Sequence, residues 1–392
     1  MGLYQLRGMK PQRLSRRALL RSAFLSGTGL LAAHVLGCGD GDGGQPTVTA
    51  TRPAATPTSP SPEATATPSV LRWRQLSPPV PLPSPRRDYS LVRGELTSGP
   101  QLYLLGGRNS EGDLADLWSY DLGMFTTGQW VEVATEDGPL SRHGHNAAWD
   151  VAGGRMVVFG GQQGSSFFND VWQFQISPNR WRQLAPSGTS PAPRYGAGAA
   201  FAVDPGDPPG IIISPGRLLV THGFTNSGRF DDTWAYDLAT NTWTEVSPAG
   251  PRPVERCLMR AAWDTANERL LMFGGQTTGT PFLGDLWALE SNGWREITSE
   301  PRPSPRTFYA MVFDDESGRL ILFGGRTRDG PVNDLWYYDS TSESWIQVTP
   351  EGEPPSPRFG HDAVLVGRSL IVFGGNDGSN DLNDLWELSV PA

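Results

Sequence analysis

Short apolar runs recur along the chain, each ending in a glycine pair: Leu102-Tyr103-Leu104-Leu105-Gly106-Gly107, Val157-Val158-Phe159-Gly160-Gly161, Leu271-Met272-Phe273-Gly274-Gly275, Ile321-Leu322-Phe323-Gly324-Gly325 and Ile371-Val372-Phe373-Gly374-Gly375. A sixth copy is degenerate, Leu219-Val220-Thr221-His222-Gly223. The last glycine falls at 107, 161, 223, 275, 325 and 375, so the intervals are 54, 62, 52, 50 and 50 residues. Runs this short, bounded by Gly, Pro, Asn and Asp, predict buried strands joined by turns. A repeat at a fixed interval predicts an array of like units, each unable to bury its apolar face alone.

Other residues keep the same phase. After each glycine pair comes Asp-x-Trp: Asp116-Leu117-Trp118, Asp170-Val171-Trp172, Asp232-Thr233-Trp234, Asp285-Leu286-Trp287, Asp334-Leu335-Trp336 and Asp384-Leu385-Trp386. A second tryptophan follows at Trp130, Trp181, Trp243, Trp294 and Trp345, and an arginine after a Pro-rich turn precedes each pair, at Arg86, Arg142, Arg194, Arg256, Arg306 and Arg358. Together these features resemble the kelch repeat across residues 71–392. The resemblance implies an all-β fold, a six-bladed β-propeller with one four-stranded blade per repeat. The sixth repeat has no second tryptophan, but Trp73-Arg74-Gln75-Leu76 matches Trp181-Arg182-Gln183-Leu184. The N-terminal strand is therefore expected to complete the last blade and close the ring, which removes open sheet edges. Trp149 and Trp263 end the first strands of their repeats, where repeats 3 and 5 carry Phe201 and Phe313. Repeat 3 is longest. Residues 204–216, with Ile211-Ile212-Ile213, are expected to widen the first hairpin of its blade as a surface loop, or to offer an apolar patch to a partner.

Composition narrows the class. The 392 residues include 47 Gly, 35 Pro and 14 Trp, with only 19% charged, which excludes a coiled coil and argues against wholesale disorder. The formal charge is −9, and removing residues 1–37, which hold six basic residues and no acid, leaves 26 basic against 41 acidic residues, or −15. Such a surface argues against nucleic-acid or anionic-lipid binding. Cys38 and Cys257 are the two cysteines, so no disulfide framework is available.

Residues 1–37 read as an export signal. Ser15-Arg16-Arg17-Ala18-Leu19-Leu20-Arg21 resembles the bacterial twin-arginine motif and precedes a weakly apolar run. Val35-Leu36-Gly37-Cys38 resembles a lipobox, apart from the bulky Leu36, and implies lipidation at Cys38. Residues 38–70 then form a Thr/Pro-rich linker expected to be disordered. The expected location is the extracytoplasmic side of a bacterial membrane, in the cell envelope, held by the lipid anchor.

The repeated residues read as structural. The glycine pairs allow positive φ or close strand approach, each Asp is expected to bind backbone amides at a turn, and each Arg to pair with such acids or with carbonyls between blades. Enzyme signatures are thin. Galactose oxidase, an enzyme of the kelch type, uses copper with two His, two Tyr and a Cys crosslinked to one Tyr. Here Cys257 stands alone in the domain, and His143, His145, His222 and His361 form no ligand motif. No catalytic residue, metal or cofactor is assigned. Specificity is expected where the repeats differ. The resemblance to kelch domains implies that the loops after the glycine pairs, and the residues just after each repeat Arg, meet on one face around the central channel. The loops contribute Arg108, Asn109, Gln162, Gln163, Phe224, Asn226, Gln276, Arg326, Arg328, Asn376 and Asp377. The positions after each repeat Arg contribute Arg87, His143, Tyr195, Cys257, Thr307 and Phe359. The ligand set drawn from these is Arg108, Asn109, Gln162, Tyr195, Phe224, Asn226, Gln276, Arg326, Arg328, Phe359 and Asn376, a mixture of arginine, amide and aromatic groups suited to a protein or carbohydrate ligand. The expectation is a monomeric, membrane-anchored binding module that does not bind nucleic acid. The alternatives are a galactose oxidase-like or sugar-modifying enzyme and a structural envelope scaffold. Arg108, Arg326 and Arg328 are expected near one mouth of the channel, with pairing to Glu111 and Asp329 as the competing reading.

Overall fold

The computed structural model describes residues 70–96, 99–122, 128–202 and 216–389. The signal, Cys38 and nearly all of the linker and of the long insertion in repeat 3 lie outside the described residues. Within them there are strands and turns and no helix.

Six four-stranded antiparallel sheets follow one another as blades. Blade 1 comprises Ser90–Leu96, Gly99–Asn109, Gly112–Asp121 and Trp130–Glu132; blade 2, Asn146–Asp150, Arg155–Phe159, Val171–Gln175 and Arg180–Leu184. Blade 3 comprises Gly198–Ala202, Arg217–Thr225, Gly228–Asp237 and Thr242–Glu245; blade 4, Arg260–Asp264, Arg269–Thr277, Thr280–Glu290 and Gly293–Ile297. Blade 5 comprises Ala310–Asp314, Arg319–Thr327, Gly330–Asp339 and Ser344–Val348. Blade 6 is built from Asp362–Val366, Ser369–Asn376 and Asp381–Ser389, and its fourth strand is Arg72–Leu76 from the other end of the domain. Trp73 pairs with Leu388 and Gln75 with Trp386, so the ring closes as the sequence match requires. The closing strand also reaches blade 5. Trp73 N–H donates to the Glu351 carbonyl at 2.9 Å, and its ring, 4% exposed, packs on Phe323 at 5.0 Å.

The glycine pairs mark breaks in the ladder between second and third strands. The register shifts between Leu105 and Gly107, Phe273 and Gly275, Phe323 and Gly325, and Phe373 and Gly375. Both glycines of the first pair have positive φ, 57° and 95°, and a Cβ on Gly106 would stand 2.9 Å from the Arg142 carbonyl oxygen. Only a residue without a side chain fits there at no cost. In blade 3 His222 holds the same bulge at φ 59°, fully buried, its ring edge-on to Trp294.

The core lies between blades as six apolar clusters. Apolar strand positions alternate with polar ones at the rim, and the tryptophan near the start of each fourth strand is buried at all six places.

Candidate functional site

Each repeat arginine is buried and fully satisfied. Its Nη1 and Nη2 grip both oxygens of the aspartate in the Asp-x-Trp of the same blade, at 2.6–2.9 Å in all six copies. Nη1 also donates to the carbonyl of the first bulge residue, and Nε to the carbonyl two residues earlier. The aspartate accepts a further bond from the indole N–H two residues on, at 2.6–2.7 Å. The chief partners of the aspartates are thus the guanidinium and the indole, in place of the turn amides expected from sequence. Burial alone would raise these carboxyls, but the arginine outweighs it and holds Asp116, Asp232, Asp285 and Asp334 below the ordinary range.

The arginine backbone reaches the preceding blade. Its carbonyl accepts from the second glycine of that blade at 2.8–3.0 Å, as in Gly107 to Arg142, and the circle closes with Gly375 to Arg86. Side chain and main chain of one residue therefore tie two blades together and aim the two residues that follow at the channel.

The second of those residues forms a continuous ring. Gly144 N–H donates to Asp88, Gly196 to Gly144, Leu258 to Gly196, Phe308 to Leu258, Gly360 to Phe308 and Asp88 to Gly360, at 2.7–3.1 Å. All six have φ between 55° and 65°. Above this ring lies a mouth of about 780 Å³, lined in part by the ring residues Asp88 and Phe308. The first residue after each arginine pairs with the residue after the glycine pair: Arg87 with Arg108, Tyr195 with Phe224, Thr307 with Arg326 and Phe359 with Asn376.

Of the predicted ligand residues, Arg108, Asn109, Tyr195, Arg326, Phe359 and Asn376 line this mouth together. Gln162, Phe224, Asn226, Gln276 and Arg328 do not line it. Gln162 and Gln276 are paired through their backbones with His143 and Cys257. Phe224 forms a separate aromatic edge with Phe167, 5.9 Å between rings, beneath the Arg229 guanidinium. Asn226 and Arg328 sit at hairpin tips. Sequence reasoning passed over Asp88, Phe308 and Asp381, which also line the mouth. The signal for the first two is the position two beyond each arginine, which is glycine in three repeats and so marks a place of positive φ.

Charge is unevenly matched in the mouth. Arg87 is paired with Asp381, which also accepts from Asn376 Nδ2 at 2.8 Å. Arg108 and Arg326 have no carboxylate within 4.0 Å among the described residues, and the expected alternative pairing with Glu111 and Asp329 is not formed. Arg326 lies over the Phe359 ring, 5.4 Å from its centre. His143 Nδ1 stands 2.6 Å from Asp113 Oδ1, and burial keeps its ring below the usual imidazole range. Beneath, at the constriction, Asp88 Oδ1 is buried without a partner, and burial pushes this carboxyl up to about 6 against the pull of Arg87, Arg108 and Arg260. Cys257 is buried and its thiol is raised by that burial, despite Arg229 beside it.

Sixfold recurrence of one arginine–aspartate–tryptophan device, in six blades closed by the N-terminal strand, coincides with the KLHDC2/KLHL20/DRC7 kelch-repeats domain family, which matches residues 64–275 and 246–391. The chain belongs to the kelch-repeat family. Among curated proteins it is similar to the leucine-zipper-like transcriptional regulator 1 homolog of Drosophila melanogaster, 28% identical over 292 residues, covering 70% of this chain and 28% of that protein. It is also similar to human kelch domain-containing protein 10, 27% identical over 310 residues, covering 74% of this chain and 55% of that one. A third relative is mouse multiple epidermal growth factor-like domains protein 8, 27% identical over 334 residues, with 76% of this chain but 11% of the relative covered. The kelch chain thus spans between about a tenth and just over half the length of these relatives.

Proposed function

We propose that this kelch propeller is a protein-binding module whose ligand face is the mouth above the central ring. The observation that carries the reading is the pair Arg108 and Arg326. Both line one cavity, both lack a carboxylate partner among the described residues, and one is stacked on Phe359. An unpaired guanidinium beside an aromatic ring offers a planar fork to an anionic group and a face to an apolar one. In a domain of net negative charge such a patch focuses acidic segments of a partner. The test is affinity capture with the wild-type domain and with Arg108→Ala, Arg326→Ala and the double variant. A partner held by the wild type and released in the variants, with melting temperature unchanged, supports the reading. A partner held equally by all four sinks it.

The same proposal places the module on the outer side of a membrane, anchored through Cys38. The basis is the sequence of residues 13–38 alone. Metabolic labelling with a fatty acid is expected to mark the wild type and not Cys38→Ser. A soluble mature form that begins beyond Cys38 overturns the anchor without touching the binding site.

A further inference from the structure

One of the six blade interfaces differs from the other five. Strand register lines up a row of four residues across each sheet on the face toward the preceding blade. The rows read Trp149, Met156, Phe174, Trp181 in blade 2 and Phe201, Leu218, Tyr236, Trp243 in blade 3. They read Trp263, Leu270, Leu289, Trp294 in blade 4 and Phe313, Leu320, Tyr338, Trp345 in blade 5. Blade 1 has Arg93, Leu102, Tyr120, Trp130. Blade 6 has Leu365, Leu370, Leu388 and Trp73. It is the one row with no aromatic ring in its first three places.

Close packing makes the missing ring felt as space. Blade 5 returns part of it, with Tyr337 where blades 3 and 4 carry Ala235 and Ala288. What is left between blades 5 and 6 is a cleft of about 450 Å³, floored by Ile321, Leu370 and Leu388 and walled by Leu71, Leu365 and Tyr337. It opens away from the ligand mouth, at the end of the propeller where first and second strands join. Arg319 and Arg368 stand on its rim, together with Asp314 and the exposed Glu316, which makes no ion pair with either arginine within 4.0 Å among the described residues. Arg319 lies 5.9 Å from the centre of the Tyr337 ring. Neither guanidinium has a carboxylate within 4.0 Å among the described residues. Asp314, beside them, is turned into its own hairpin, where it accepts from Glu316 N–H at 3.1 Å and Ser317 Oγ at 2.5 Å.

We propose that this cleft is a second docking site, which takes one aromatic side chain of a partner protein flanked by a carboxylate. The ring fills the place that Trp or Phe fills in blades 2 to 5, and the carboxylate meets the free rim arginines. An apolar pocket with a few converging polar groups and a volume of several hundred Å³ is the usual form of such a site. The inference is independent of the mouth and of its ligand.

The probes are three end-blocked dipeptides, Trp-Glu, Trp-Lys and Ala-Glu, added to the full chain and followed by saturation-transfer NMR. Trp-Glu is expected to bind, Trp-Lys about tenfold more weakly and Ala-Glu not at all. In the Arg108→Ala, Arg326→Ala background, which removes the anion-binding pair of the mouth, Leu365→Trp and the smaller change Leu365→Phe plug the cleft and abolish Trp-Glu binding. Replacing Arg319 and Arg368 together by Ala removes the preference for Trp-Glu over Trp-Lys. Failure of the wild type to bind Trp-Glu overturns the proposal, as does undiminished binding by folded Leu365→Phe. If instead the wild type self-associates with concentration and Leu365→Phe is monomeric, the occupant is a second copy of the chain and the commitment to a partner protein falls.

Discussion

Arg256 holds Asp285 with both terminal nitrogens, at 2.7 and 2.8 Å, while its backbone carbonyl accepts from Gly223 of the preceding blade at 2.9 Å. One residue thereby fixes a turn inside its own blade and the seam with its neighbour. The bond set is repeated at every seam, so the stability of the ring is shared among six equivalent joints.

Loss of one such side chain is expected to be costly. Arg256→Met leaves the Asp285 carboxylate without its cation and the Gly274 carbonyl without its side-chain donor. Breaking a buried pair by removing one member costs about 3–5 kcal/mol. Urea denaturation should show that loss as a lower midpoint at unchanged slope. A change below about 1 kcal/mol would show the pair to be dispensable.

The pH dependence of these joints has a definite sign. Asp116, Asp232, Asp285 and Asp334 have folded-state pKa values below their ordinary value of 3.8, so their contribution is complete above that value and is lost as pH falls through the lower folded value. Burial also holds the rings of His145, His222 and His361 below their ordinary 6.5, so stability is expected to decline from about pH 6.5 downward, with the carboxylates adding a steeper fall below about pH 4. Urea midpoints from about pH 7 to pH 2 that show no added steepening below about pH 4 would contradict this account.

Asp88 acts in the opposite sense. Its carboxyl is raised from 3.8 to about 6, so the native state prefers it protonated, and stability is lost as pH rises between those values. Asparagine keeps the shape and tolerates φ of 58°. Asp88→Asn should therefore stabilise the domain at pH 7.5, by at most about 3 kcal/mol, and change little at pH 4. Paired urea midpoints at the two pH values decide it, and destabilisation at pH 7.5 would assign the carboxylate a favourable role.

Ring closure rests on Trp73, which is 4% exposed against Phe323. Trp73→Ala should cost about 3–5 kcal/mol, as large core truncations do. Deletion of residues 71–77 should unfold the ring by exposing sheet edges, whereas deletion of residues 39–68 should leave the melting temperature unchanged. Equal tolerance of both deletions would refute closure by this strand.

The central ring makes its own demand. Gly144 has φ of 58°, and a Cβ there would run into the Tyr195 ring. Gly144→Ala is expected to cost at least the roughly 1–2 kcal/mol of left-handed backbone and more from the contact. It should also disturb the Tyr195 environment, seen in near-ultraviolet circular dichroism. A neutral substitution would show that the ring is loose.

Blade number, blade boundaries and the closing strand were legible in the chain, because each blade needs the same bulge, the same arginine–aspartate joint and the same buried tryptophan, and those needs repeat in phase. Arg108, Tyr195, Arg326 and Phe359 were legible as candidates for a related reason, being the variable positions beside repeated ones. Which of them share a cavity was decided by the curvature of the ring, which brings residues of blades 5, 6 and 1 together with Tyr195 of repeat 3 at the mouth and leaves Phe224 and Gln276 elsewhere. The partners of charge were likewise tertiary. Arg87 and Asp381 lie 294 residues apart in sequence and meet only because the sixth blade returns to the first. Leu365 in the fourth place of its strand reads as one more apolar residue. That it leaves a cleft depends on Leu388 beside it and Tyr337 opposite, since the volume of a gap is set by every side chain that faces it.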